Sequence, residues 1–147
     1  MLKGAGSDNA SRVVMLSPAA GIDEIEQELV ALVREKASAA CPPLIIGVGI
    51  GATFDKVASL SKRALLADIM QPNPDERLAA LEQRLLSAVN ATGIGPGGLG
   101  GDTTALAVKV LTAPCHIAAL PLALNLGCSA LRSRTIHLTA DKDPHGG

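Results

Sequence analysis

The residues most able to do chemistry are three cysteines, at positions 41, 115 and 128, with His116 directly after the second. An odd number of cysteines cannot all pair with one another, and a chain kept in a reducing compartment does not favour structural disulfides. Two readings of the thiols remain: ligands for a metal or inorganic cluster, or small buried hydrophobes without reactivity. The segment ACPPLIIGVGIGATFDK sharpens the choice. It spends a reactive cysteine, two prolines and glycines at 47, 49 and 51 in one short stretch. That pattern suits either a buried strand that happens to start with a thiol or a ligand held at the mouth of a site walled by backbone.

A second glycine-rich segment, ATGIGPGGLGGDTT, carries six glycines between 93 and 101. Neither glycine segment makes a good nucleotide site. GVGIGAT has G-x-G-x-G spacing where the dinucleotide fingerprint needs G-x-G-x-x-G, and Asp68 falls slightly early for the ribose-binding acid. GPGGLGGDT resembles a P-loop only loosely and has Asp102 where that motif needs lysine, so its charge would repel a phosphate. Tight turning and close backbone packing are the structural explanation for such glycines. Both segments could also offer peptide N–H groups to a carboxylate, which leaves a small-anion-binding domain as an alternative.

The elements that must position these groups follow from periodicity. KGAGSDN reads as a flexible polar loop. IDEIEQELVALVREKASAA places Ile22, Ile25, Leu29, Leu32 and Val33 on one helical face, with acids in its first turns and Arg34 and Lys36 in its last. LIIGVGI has the length and β-branched content of a buried strand. Thr53 or Asp55 would cap a helix through KVASLSKRALLADI. QPNPDE is a break, with Asn73 as N-cap and Pro74 at the first helical position, and Leu78, Leu81, Leu85 and Val89 form the stripe of the next helix. ALAVKVLTA reads as a strand ended by Pro114. HIAALPLALNLGCSALR fits a strand or a buried helix, and Pro121 favours the extended form. The expected class is α/β or α+β, a mixed sheet with flanking helices over residues 1–140 and a disordered polar tail at 141–147.

Composition narrows the function classes. A chain of 147 residues is one ordinary domain, able to bury roughly 70% of its unfolded surface. Phe54 is its sole aromatic residue and its formal net charge is -1. Base stacking needs aromatic rings and phosphate binding needs a basic face, so no nucleic-acid role is expected. The longest apolar stretch, residues 117–128, falls short of the ~20 residues that a membrane span requires. MLKGAGSDN lacks the apolar core of a secretory signal, so the expected location is cytoplasmic.

Four stretches carry a resemblance: KGAGSDN, ACPPLIIGVGIGATFDKVASLSKRALL, NATGIGPGGLGGDTTALAVKV and APCHIAALPLALNLGCSALR. Together they cover well over half the chain, and in their order and spacing the chain resembles the α subunit, or N-terminal catalytic domain, of the class I iron–sulfur fumarases and L(+)-tartrate dehydratases. The resemblance implies a hydro-lyase that adds or removes water across a C4 dicarboxylate. It implies a [4Fe–4S] cluster held by three cysteines, whose open iron acts as a Lewis acid on the substrate hydroxyl and a carboxylate oxygen, while a general base takes the C–H proton. Carried over residue by residue, Cys41 and Cys128 match cluster ligands. His116, twelve residues before Cys128, matches a histidine that contacts substrate, and Gly6 matches a backbone position beside the substrate carboxylate. Cys115 stands where another residue type, often threonine, is expected and reads as a bystander. His137 and His145 lie in the weakly matched tail.

The departures are equally specific. The family's first cluster cysteine sits in a Cys-Gln-Asp-Thr-Gly stretch upstream of KGAGS, and that stretch is not in this sequence. Asp102 replaces a lysine common at its position. The expectation is a C-terminal portion of an α subunit, inactive alone, forming an oligomer with a β subunit or C-terminal domain. The competing reading is a non-catalytic remnant or interaction module of the same fold.

Overall fold

A computed structural model of the chain describes residues 3–130. His137, His145 and the tail at 141–147 lie outside the described residues. A short helix α1 (Ala5–Asp8) and strand β1 (Ser11–Leu16) are followed by α2 (Ile22–Lys36) and a 3₁₀ turn at Ser38–Ala40. Then come β2 (Leu44–Gly51), α3 (Phe54–Ala64), α4 (Glu76–Asn90), a 3₁₀ turn at Pro96–Gly98, β3 (Ala105–Ala113) and β4 (Leu120–Gly127). The four strands form one mixed sheet in the order β1-β4-β2-β3. β2 and β3 run parallel, whereas β4 is antiparallel to both β1 and β2. The fold is therefore the expected mixed sheet flanked by helices.

One face of the sheet carries the apolar core. Leu44, Ile46 and Val48 of β2, Leu122, Leu124 and Leu126 of β4, and Val108 and Val110 of β3 pack with Leu29, Leu32 and Val33 of α2 and Leu85 and Val89 of α4. At about 1.5–3 kcal/mol for each fully buried aliphatic side chain, this layer is the main stabilising contribution. Ile22, expected on the same stripe, sits in the first turn of α2 and stays exposed.

The opposite face explains the glycines of β2. A Cβ on Gly47 would stand 2.1 Å from the Ser61 carbonyl oxygen, and one on Gly49 would stand 2.7 Å from the backbone of Ser61 and Val57. Glycine at these two positions lets α3 lie directly on the strand backbone.

Two local expectations are corrected, one strand is added, and one open reading is decided. KGAGSDN is not a loop throughout, because its second half forms α1. SRVVML, unassigned from sequence, forms the edge strand β1 with alternating exposure. α4 is capped by Asp75, whose carboxylate accepts from the N–H groups of Arg77 and Leu78. Asn73 instead donates to Glu82 Oε1 at 2.9 Å and to the Val110 carbonyl at 3.1 Å. Its side-chain Oδ1 accepts from the Asp75 N–H at 3.1 Å. Of HIAALPLALNLG, Leu120–Gly127 is a strand, the extended form that Pro121 favours, and Pro121 costs no bond to β2 because that pairing ends at Ile50–Leu122.

Candidate functional site

Two of the three cysteines flank neighbouring strand ends. β2 begins three residues after Cys41, and β4 ends at the residue before Cys128. Because the strands are antiparallel, with Ile45 opposite Gly127, both cysteines emerge from the same end of the sheet. The Ser129 N–H donates to the Cys41 carbonyl at 3.0 Å, fastening the two segments just beyond the strands. Both thiols are free; Cys41 is exposed and Cys128 half-buried.

Cys41 also has a constrained backbone. It follows the Ser38–Ala40 turn in the left-handed region, at φ 55° and ψ 69°, which costs an L-residue roughly 1–2 kcal/mol. One residue further on, the Pro42–Pro43 peptide is cis.

The second glycine-rich segment braces this strained stretch. Gly97 N–H donates to the Pro42 carbonyl at 2.9 Å, and Leu44 N–H to the Thr104 carbonyl at 2.9 Å. A Cβ on Gly98 would stand 2.9 Å from Ser38 Oγ, so the loop backbone lies against the turn before Cys41. The amides of this loop are largely spent: those of Gly97, Gly98, Leu99 and Gly100 donate to protein carbonyls, and that of Gly95 to Thr104 Oγ1. In the first segment, β2 is paired on both sides and Ala52 N–H donates to the Ala113 carbonyl. The expectation that both glycine segments offer a row of N–H groups to an anion is thus corrected. Their glycines serve close packing and turning.

Gly6 comes to the same end of the sheet. It lies in the first turn of α1, where N–H groups have no partner within the helix, and a Cβ there would approach the Ala39 carbonyl at 4.0 Å. Lys3, two residues before α1, also reaches this end of the sheet, and sequence reading missed it. Its side chain is only 2% exposed. The ammonium donates to Asn125 Oδ1 and, at 2.7 Å, to the Ser7 carbonyl. Burial pushes Lys3 below the usual lysine range, against the raising effect of Asp8; nearby Lys62 lowers it further and Cys128 raises it. A signal was available, since Asn125 is the one polar residue inside the apolar run LPLALNLG.

His116 is elsewhere. It sits in the connection between β3 and β4, where its Nδ1 accepts from the Ala118 N–H at 3.1 Å and its carbonyl accepts from the Ala119 N–H. The eight residues of β4 separate it from Cys128, about 26 Å at ~3.3 Å per residue. Cys41, Cys128 and Gly6 are thus brought together, and His116 lies at the opposite end. Cys115 stays with His116, donating its thiol hydrogen to the Ala119 carbonyl at 3.1 Å.

Among the described residues, no group of three or more His, Cys, Asp or Glu side chains is gathered to hold a metal ion. Two free thiols at one strand end, beside a buried ammonium, fit two sites on an anionic thiolate-ligated cluster and fall short of a full ligand set. A cavity of about 440 Å³ lies apart from them, between α4 and β3, lined by Met70, Leu86 and Leu106 among others. At its wall the buried Lys109–Glu82 pair, 3.5 Å apart, has its partners satisfied, with Glu82 also accepting the edge-strand N–H of Val110. That arrangement closes the sheet edge. Among the described residues no helix is long and apolar enough to cross a membrane.

Residues 1–137 match the family described as Fumarate hydratase (Fumerase). A Methanocaldococcus jannaschii protein, provisionally named as an L(+)-tartrate dehydratase subunit alpha, is 43% identical over 130 residues, covering 88% of this chain and 46% of that protein. The L(+)-tartrate dehydratase subunits alpha of Escherichia coli (strain UTI89 / UPEC) and Shigella sonnei are each 33% identical over 140 residues, covering 95% of this chain and 46% of theirs. The chain spans about half the length of these curated relatives.

Proposed function

The chain belongs to the Fumarate hydratase (Fumerase) family, and on that premise we propose that it contributes part of a hydro-lyase site acting on a C4 dicarboxylate, with Cys41 and Cys128 as two thiolate ligands of a [4Fe–4S] cluster. The observation that carries this reading is the 3.0 Å bond from Ser129 N–H to the Cys41 carbonyl, which holds the two cysteine backbones side by side. A cluster bound there would supply a Lewis-acid iron for the substrate's hydroxyl and carboxylate oxygens.

This chain's own residues have defined parts in the proposal. The Gly95–Gly100 loop and the Ser38–Ala40 turn hold Cys41 in its left-handed conformation. Gly6 offers its backbone to a substrate carboxylate beside the thiolates. His116 contacts substrate, as the resemblance implies, and with β4 intervening it does so only across a contact with a second polypeptide. As the resemblance implies, the third thiolate comes from the Cys-Gln-Asp-Thr-Gly stretch that the family carries upstream of KGAGS, and the remaining catalytic groups come from a β subunit or C-terminal domain. The names of the relatives, each a subunit alpha, support such a partner.

A non-catalytic module of the same fold is the second reading, favoured by the presence of only two candidate thiolates at the site among the described residues. Co-expression with the companion subunit separates the two. Turnover of fumarate or tartrate by the assembly, and none by the chain alone, supports the hydro-lyase reading. An assembly that forms yet turns over neither substrate supports the module.

A further inference from the structure

We infer that Lys3 is a positioning residue: its buried ammonium clamps α1, and with it Gly6, onto β4 next to Cys128. This rests on the site assignment proposed above and adds the group that sets its geometry. α1 has four residues, far too few to be stable alone, since helix nucleation is unfavourable and short helices depend on tertiary contacts. Its position is therefore imposed from outside. The external ties visible around it are few. The Leu126 N–H donates to the Ala10 carbonyl at 3.1 Å, Gly6 rests near Ala39, Lys62 of α3 donates to Asp8 Oδ1 at 3.5 Å, and Lys3 reaches into the sheet.

Of the two side-chain ties, that of Lys3 is the buried one, whereas the Asp8–Lys62 pair is exposed. Its ammonium has three donors, and three acceptors surround it: Asn125 Oδ1, the Ser7 carbonyl at 2.7 Å and Ser11 Oγ at 3.4 Å. Asp8 Oδ1 lies 3.8 Å away. The clamp thus gathers the preceding chain, α1, β1 and β4 onto one atom. Asn125 is a firm anchor. It is 6% exposed and is paired with Ser11 on one side and Gly47 on the other, within a three-strand ladder. Removing Lys3 takes the donor from the buried Asn125 Oδ1, which costs more than the bond itself contributes, and removing Asn125 leaves the ammonium tied only to Ser7 and Ser11.

Two arms test the inference. In the full chain, amide hydrogen exchange is followed for Lys3→Met, Asn125→Leu and Asn125→Asp. The first two should speed exchange at residues 5–10 about tenfold or more and leave residues 45–50 of β2 unchanged, whereas Asn125→Asp keeps an acceptor and should exchange like the parent. Unchanged exchange at residues 5–10 in both Lys3→Met and Asn125→Leu overturns the clamp. In the assembly with its companion subunit, Lys3→Met and Asn125→Leu should raise KM for the dicarboxylate about tenfold with kcat within about twofold, and Asn125→Asp should restore KM. A KM rise in Lys3→Met without one in Asn125→Leu would mean that Lys3 acts through charge, and it overturns the positioning role. If the parent assembly turns over no dicarboxylate, the hydro-lyase reading fails while the exchange arm still decides the clamp.

Discussion

The Ser129 N–H donates to the Cys41 carbonyl at 3.0 Å, joining the residue after β4's cysteine to the cysteine that precedes β2. Residues 41 and 128 are 87 positions apart in the chain, and this bond makes them neighbours. The strand pairing leads to it, and the glycine-rich loop stiffens one side of it. The proposed cluster site follows from that convergence.

The backbone at Cys41 can be tested separately from its thiol. Cys41→Ser and Cys41→Gly both remove the sulfur, but only glycine relieves the left-handed conformation. The Gly variant should be more stable than the Ser variant by about 1 kcal/mol in urea unfolding. Equal stabilities would mean that the conformation carries no strain.

Gly47→Ala should destabilise the chain by roughly 1–3 kcal/mol or more, because the new methyl meets the Ser61 carbonyl at 2.1 Å and α3 must lift off β2. Gly4 is the control, with nothing within 4 Å of an added Cβ and φ in the ordinary region at -67°. Gly4→Ala should stay within about 0.5 kcal/mol of the parent. Thermal unfolding of the three proteins reads the difference, and equal losses at both positions would refute the close approach.

His116 is exposed, so His116→Asn should leave stability within about 0.5 kcal/mol of the parent. In the active assembly it should lower kcat/KM by about 10²-fold, the scale of a lost substrate contact or proton-transfer group, with the iron–sulfur absorbance unchanged. Steady-state kinetics beside a visible spectrum decide it. Unaltered kcat/KM removes His116 from the site.

Lys3 gives a pH signature. Its folded-state pKa is lowered from the ordinary 10.5, chiefly by burial, against Asp8 and Cys128 and with Lys62. Between the lowered value and 10.5 the unfolded chain binds more protons at Lys3 than the folded chain does. The group therefore contributes increasing stability as pH rises through that window. Chemical denaturation from pH 8 to 10.5 should show the parent gaining on Lys3→Met, and a difference that is flat or falls with pH would contradict the burial of the ammonium.

Much of the scaffold was legible because its signals were local. β2 and β3 are apolar runs bounded by prolines and glycines, and the stripes Leu29-Leu32-Val33 and Leu81-Leu85-Val89 have helical period. β1 was missed because Arg12, Val13, Val14 and Met15 show no clean alternation, their partial exposure being set by an edge position. α1 was missed because AGSD is too short to show a helical period and includes Gly6, a poor helix former, and it is held by contacts from β4 and the Ser38–Ala40 turn. Most of the twelve-residue interval between His116 and Cys128 is the extended chain of β4, which sets the two residues at opposite ends of the sheet. The convergence of Cys41 and Cys128 came only from the resemblance, since nothing local in the sequence reveals an antiparallel pairing of β2 with β4.

The most direct test is anaerobic reconstitution of the assembly with iron and sulfide, followed by iron and sulfide analysis and visible absorbance. Parent, Cys41→Ser, Cys128→Ser and Cys115→Ser are compared. The account predicts a cluster in the parent and in Cys115→Ser, and its loss in each of the other two. A full cluster in both Cys41→Ser and Cys128→Ser would contradict it.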